Sequence, residues 1–152
     1  MPLFQSAATI ACPPPLLFDF LARPANMLRL TPPDVKFDIV QAPERLELGS
    51  VIIIKGRRYG GIQRLISAVT KFEPNTLIVD EQRHGPFRRF VRTQKLDPDG
   101  EHVRLTDRIE FDPPSGVLGL LLTADRIGRD LARLNEFRTQ MLKQLLEPRP
   151  VT

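Results

Sequence analysis

The run IGRDLARLNEFRTQMLKQLL, Ile127 to Leu146, decides how this chain folds. Its apolar residues Ile127, Leu131, Leu134, Phe137, Met141 and Leu145 recur at steps of three and four, with Arg129, Arg133 and Lys143 between them. That spacing lays one apolar stripe along an otherwise wetted helix. Pro148 ends it, because proline has no N–H to continue the ladder and clashes with the preceding turn. The spacing predicts one long amphipathic helix at the end of a run uninterrupted from Gly116, and its stripe has to be buried elsewhere in the chain.

The preceding sequence supplies the partner. From Val35 the period is two: Val35, Phe37 and Ile39 alternate with Lys36 and Asp38, the pattern of a half-buried strand. Val51-Ile52-Ile53-Ile54 is apolar on both faces and is expected to be covered on each side. Gly60-Gly61 turns into a strand at Ile62–Phe72, Pro74-Asn75 into Thr76–Gln82, and His84-Gly85-Pro86 into Phe87–Leu96. Asp97-Pro98-Asp99-Gly100 is a turn in which proline presets φ and glycine accepts the left-handed region, and His102–Phe111 completes an antiparallel meander.

Before the meander, Leu3–Ile10 alternates as a first strand, and Pro13-Pro14-Pro15 stops it and opens a short apolar helix through Leu16, Leu17, Phe18, Phe20 and Leu21. A second short helix, Ala25 to Arg29, ends ahead of Thr31-Pro32-Pro33. The order predicts an α+β chain of the helix-grip type: about seven curved antiparallel strands around a long C-terminal helix, with two short helices after the first strand. Such a sheet and one helix have more apolar wall than side chains to fill it, so a cavity is expected between them.

Composition sets the outer bounds. With 152 residues, 41% apolar and 26% charged, the chain is expected to be one globular domain, 1–152. Its 15 prolines cluster at element boundaries and not in a tail. A single cysteine, Cys12, excludes an internal disulfide and any multi-cysteine metal site. Met-Pro-Leu-Phe-Gln at the start lacks a basic segment followed by a long apolar run. The most apolar stretch, Gly116 to Ala124, is far short of the ~20 residues of a bilayer span, so a cytoplasmic setting is expected. The net charge of +4 comes from arginines spread among 18 carboxylates without a lysine-rich arm, which argues against nucleic acid as a partner.

Three stretches carry a family resemblance. Phe4 to Phe20, a strand followed by CPPPLLFDF, is similar to the entry into a first helix; Val69-Thr70-Lys71-Phe72-Glu73-Pro74, with Val79-Asp80-Glu81-Gln82 and Gly85-Pro86-Phe87, is the closest match; Leu105 to Pro114 with Gly116-Val117-Leu118-Gly119 is similar to a last strand and the lead into a long helix. In this order they resemble the START-like (SRPBCC) superfamily, in particular its polyketide cyclase/dehydrase-like ligand-binding group. The resemblance implies a hydrophobic-ligand cavity under the long helix, and no single activity, because the fold hosts many. Relatives with Gly-Pro-Phe often place histidines along the next strand. Here Phe90, Arg92 and Gln94 stand at those positions, so histidine chemistry does not carry over.

Direct searches for chemistry find little. His84 and His102 sit beside turns and read as surface residues. There is no His-Glu-x-x-His, no Asp-rich loop and no Gly-x-Ser-x-Gly; Gly56-Arg57-Arg58-Tyr59-Gly60-Gly61 lacks the strand–glycine–helix context of a phosphate loop. Neither a metal nor another cofactor is expected.

The informative pair is Arg92 and Asp107. A regular hairpin closed by Asp97–Gly100 puts Phe90 opposite Asp107 and Arg92 opposite Leu105. One face then carries Phe90, Arg92, Gln94 and Leu96 on one strand and Val103, Leu105, Asp107, Ile109 and Phe111 on the other. Asp107 is the lone carboxylate in an apolar row, and burying it unpaired costs several kcal/mol, so Arg92, its diagonal neighbour, is the expected partner. One reading is an ion pair that stitches the sheet; the other is a polar anchor that orients an oxygen of the ligand. A tight turn at His84-Gly85-Pro86 would set Val79 opposite Phe90 and bring Glu81 to the same face. A one-residue slip would turn these side chains outward.

The expected ligand lining is therefore Phe90, Arg92 and Gln94 with Leu105, Asp107 and Ile109 from the sheet, and Leu134 from the helix. Leu118 and Leu122 join it; with Leu121 they read either as simple core or, from their position after Pro-Pro-Ser-Gly, as a mobile apolar flap over the mouth. The expected function is to carry or sequester an apolar or amphipathic small molecule. The alternative is a cyclase or dehydratase in which Arg92, Asp107 and Tyr59 supply acid–base groups. A third reading, a basic interaction surface, needs Arg57, Arg58, Arg88 and Arg89 to converge.

Overall fold

The computed structural model of the chain describes residues 2–58 and 61–148. Strand β1 (Leu3–Ile10) leads into helix α1 (Pro14–Leu21) and a 3-10 turn at Pro24–Leu28. Strands β2 (Phe37–Gln41), β3 (Val51–Arg58), β4 (Gly61–Glu73), β5 (Leu77–His84), β6 (Arg89–Asp99) and β7 (His102–Asp112) follow, then helices α2 (Gly116–Leu121) and α3 (Ala124–Leu146). The described strands form one antiparallel sheet in the order β1-β7-β6-β5-β4-β3-β2, so each meander strand pairs with its chain neighbour while β1 closes the far edge on β7. This is the helix-grip arrangement.

Three register shifts bend the sheet. One extra residue falls in β5 between Gln82 and His84, one in β4 between Val69 and Lys71, and one in β2 between Ile39 and Gln41, and these curl the strands. Helix α3 lies in the resulting concavity and runs closest to β1, where Asn135 Nδ2 donates to Ser6 Oγ at 2.7 Å. No described helix is long and apolar enough to cross a membrane.

Several expectations shift. The long run is broken: α2 ends at Leu121, Leu122 leaves helical geometry (φ −107°, ψ 81°), and Thr123 opens α3 by accepting from the Arg126 N–H at 3.3 Å. Val51-Ile52-Ile53-Ile54 lies next to the edge strand, so Val51 is exposed and only Ile52 is fully buried. The β6–β7 hairpin is longer than expected. Pairing continues through Pro98↔Val103 to Asp99↔His102, and the chain reverses at Gly100 (φ +63°) and Glu101. The register is therefore displaced by an even number of residues. Phe90 faces Phe111, Arg92 faces Ile109, Gln94 faces Asp107, and the predicted faces survive.

The β5–β6 register differs by an odd number, which reverses a face. Val79 lies opposite Thr93, Asp80 opposite Arg92 and Glu81 opposite Val91. The connection at Gly85–Arg88 is wider than a tight turn; Gln82 Nε2 braces it by donating to the Phe87 carbonyl at 2.6 Å. Glu81 thus leaves the inner face and Asp80 takes its place.

Burial divides the interior. Toward α1 and the end of α3, Ile10, Leu17, Phe18, Ile78, Leu96 and Leu142 form one apolar cluster. Toward the start of α3, Ile109, Phe111, Leu122 and Ile127 form a second. Each such side chain contributes about 1.5–3 kcal/mol by leaving water. Between the two clusters every contributing element places a polar residue: Asp80 on β5, Gln94 on β6, Asp107 on β7 and Arg138 on α3.

Candidate ligand cavity

The polar layer forms because each side chain sits mid-element on an inward face. On β7, Asp107 follows Val103 and Leu105 and precedes Ile109 and Phe111, all buried, in strict alternation. On α3, Arg138 lies four residues after Leu134 and four before Leu142, within the apolar stripe. Its guanidinium reaches the sheet: Nη2 donates to Gln94 Oε1 and stands 3.7 Å from Asp107 Oδ1. The carboxylate's ionic partner is therefore Arg138, and Arg92, expected in that role, is not. The ring of contacts joins helix to sheet across the whole interior.

Satisfaction is incomplete. Arg92 Nε, Arg138 Nε and Asp107 Oδ1 are buried without a hydrogen-bond partner among the described residues. Such groups cost free energy unless something meets them. Burial pushes the Asp80 carboxyl above its ordinary value of 3.8; Arg92 and Arg138 pull it back down, while Asp107 and Glu81 push it up. Burial likewise pulls the Arg138 guanidinium down, opposed by Asp107 and Asp80 and reinforced by Arg92.

Two adjoining cavities open on this layer, with volumes of about 270 Å³ and 210 Å³. Both are walled by Phe87, Phe90, Arg92 and Arg138 and by Met27, Leu30, Ile54 and Leu65. The larger reaches Asp107, Ile109, Leu131, Leu134 and Asn135; the smaller reaches Asp80, Gln82 and Gln94. The 3-10 turn supplies Met27 and is held shut onto α1 by Asn26 Nδ2, which donates to the Phe20 carbonyl at 2.9 Å. An apolar space with a few convergent polar groups suits an amphipathic guest.

Six of the residues expected to line the space do so: Phe90, Arg92, Gln94, Asp107, Ile109 and Leu134. Leu105 does not, because it packs into the first apolar cluster at 2% exposure. Leu118 and Leu122 do not either; they pack with the second cluster, beside Phe87 and Phe90. In α2 the exposed side chains are Val117, Leu120 and Leu121. His84 and His102 are exposed, and Tyr59 lies outside the described residues. Of the four arginines of the basic-surface reading, Arg57, Arg88 and Arg89 are exposed and the Arg58 side chain is outside the description.

Sequence reasoning missed Asp80, Asn135 and Arg138. Arg138 had a signal: it interrupts the helix stripe at a position where both neighbours one turn away are leucines. Asp80 had none beyond an uncertain loop length.

Residues 1–147 match the model of a family described as polyketide cyclase / dehydrase and lipid transport. No curated protein matches the sequence. Among solved structures, the chain is similar to a Thermus thermophilus protein (TM-score 0.72, 14% identity, 95% of this chain and 99% of that one). It is also similar to a ginseng major latex-like protein from Panax ginseng (TM-score 0.66, 14% identity, 96% and 97%). A third is an aromatase/cyclase from a Streptomyces species (TM-score 0.65, 19% identity, 93% and 88%). At these identities the likeness is one of fold.

Proposed function

The chain belongs to the polyketide cyclase / dehydrase and lipid transport family of START-like, helix-grip proteins, and from that premise we propose that it binds one amphipathic small molecule and carries or sequesters it. The family and fold are those of ligand-binding proteins. The observation that carries the finer reading is the paired cavity under α3, whose apolar walls converge on the polar residues Arg92, Arg138 and Asp107. A protein built only for stability would gain by filling that space and by replacing the polar layer with apolar side chains. The guest's tail fills the Met27, Leu30, Ile54 and Leu65 side, and its polar end meets the layer. We place this carrier as a single domain in a cytoplasmic setting, where the buried, unpaired Cys12 stays reduced.

A second reading, a cyclase or dehydratase, is favoured by one observation. Burial lifts the Asp80 carboxyl toward protonation beside the cavity, as a general acid requires. Asp80 replaces Tyr59 as the acid–base group in that version, with Arg92 and Arg138 steadying an enolate oxygen.

Native mass spectrometry of protein purified from its own source tests the carrier reading. The expected result is a bound small molecule of constant mass at one per chain, unchanged on release. Chemically altered material after incubation with that molecule supports the enzyme. Ligand-free protein that also binds no amphiphile from an extract overturns both.

A further inference from the structure

Arg92 projects into both cavities from the middle of β6 yet has no hydrogen-bond or ion-pair partner among the described residues. Its neighbours explain why it is left over. Asp107, the diagonal carboxylate, is taken by Arg138 at 3.7 Å, and Gln94, next along the same face, accepts from the same guanidinium. Asp80 lies opposite Arg92 in register and feels its charge, which draws the carboxyl down against burial, without forming a close ion pair. Arg138, itself only 9% exposed, borders the same space from the opposite wall. The two arginines thus border one apolar cavity from sheet and helix, and Arg92 forms no ion pair among the described residues.

We propose that the polar end of the ligand is a single carboxylate, bracketed by Arg92 and Arg138; this rests on the carrier reading above. A planar carboxylate has two oxygens to share between two guanidinium groups, and each such charge-assisted hydrogen bond is roughly twice as strong as a neutral one. One negative charge matches the one cavity arginine without an ion pair among the described residues. A phosphate dianion would add a second charge facing Asp80 and Asp107, and an ammonium would face Arg92 and Arg138. Asp107 borders the larger cavity on the same wall, so a hydroxyl close to the carboxylate adds to the fit.

Displacement of an apolar fluorescent probe from the full chain by decanoate, decanol, methyl decanoate and decylamine, all at neutral pH, separates the possibilities. Decanoate should compete at least about tenfold more strongly than decanol or the ester, since a hydrogen bond to a charged group is at stake. In Arg92→Met that preference should vanish while decanol competes as before, which also reports that the cavity is intact. Because the acid-to-alcohol ratio is read first in the unaltered protein, the outcome does not depend on the variant folding. Decanol or decylamine competing as well as decanoate overturns the carboxylate and leaves the cavity standing. A probe that never saturates, with no competitor effective, overturns the carrier reading and this inference with it.

Discussion

Arg138 of α3 and Asp107 of β7 face each other at 3.7 Å across the interior, each almost fully buried, and Gln94 accepts from the same guanidinium. A buried pair of this kind adds little net stability over an apolar replacement, but breaking it strands a charge. Arg138→Met should cost about 3–5 kcal/mol in urea denaturation, and Arg138→Met with Asp107→Leu should cost clearly less than the two single changes summed. Arg92→Met with Asp107→Leu should be closer to additive. Strong coupling of Arg92 and not Arg138 to Asp107 would contradict the pairing.

The Asp80 carboxyl gives a pH dependence with a definite sign. Its folded value lies above the unfolded 3.8, chiefly through burial, so in that window the folded state binds more protons than the unfolded state. Asp80 therefore favours folding most at or below the unfolded value, and that contribution is lost as pH rises through the folded one. Asp80→Asn removes the titration. The stability of wild type relative to Asp80→Asn should fall as pH is raised from about 4, measured by urea denaturation in steps. A gap that widens in favour of wild type would reverse the sign and contradict the assignment.

The helix stripe separates into anchors and cavity wall. Leu142 is fully buried in the first cluster, so Leu142→Ala should cost about 2–5 kcal/mol. Leu134 is half-buried and borders the cavity, so Leu134→Ala should cost less and enlarge the space. Equal losses in denaturant midpoint would show that Leu134 is packed as tightly as Leu142.

These elements show what could be read before the structure. The order of strands and helices followed from period and punctuation, which depend on nearest neighbours. The inner faces of β6 and β7 were also legible, because the hairpin register moved by an even number and parity was kept. Asp80 was hidden by the opposite accident: a connection at Gly85–Arg88 wider than a tight turn exchanged it with Glu81. Leu105 was assigned to the cavity by face alone, and face does not say which end of a strand is packed and which is open. Arg138 was overlooked because a basic residue on a helix defaults to solvent, and only the long reach across the cavity gives it a partner.

Free space and packed space should respond oppositely to added bulk. Leu65 lines both cavities and is half-buried, whereas Leu105 is packed at 2% exposure. Leu65→Trp should weaken probe binding by roughly tenfold or more with little change in thermal midpoint, while Leu105→Trp should destabilise by about 1–3 kcal/mol through overpacking. The reverse pattern would place the open volume elsewhere.

The central claim is that the sheet and α3 enclose a real, occupiable cavity. Titration of the folded chain with an apolar fluorescent probe tests it most directly. The account predicts saturation near one probe per chain, displacement by an amphipathic competitor, and loss of signal on unfolding. Weak, unsaturable binding that grows as the protein unfolds, the behaviour of partly denatured states, would contradict it.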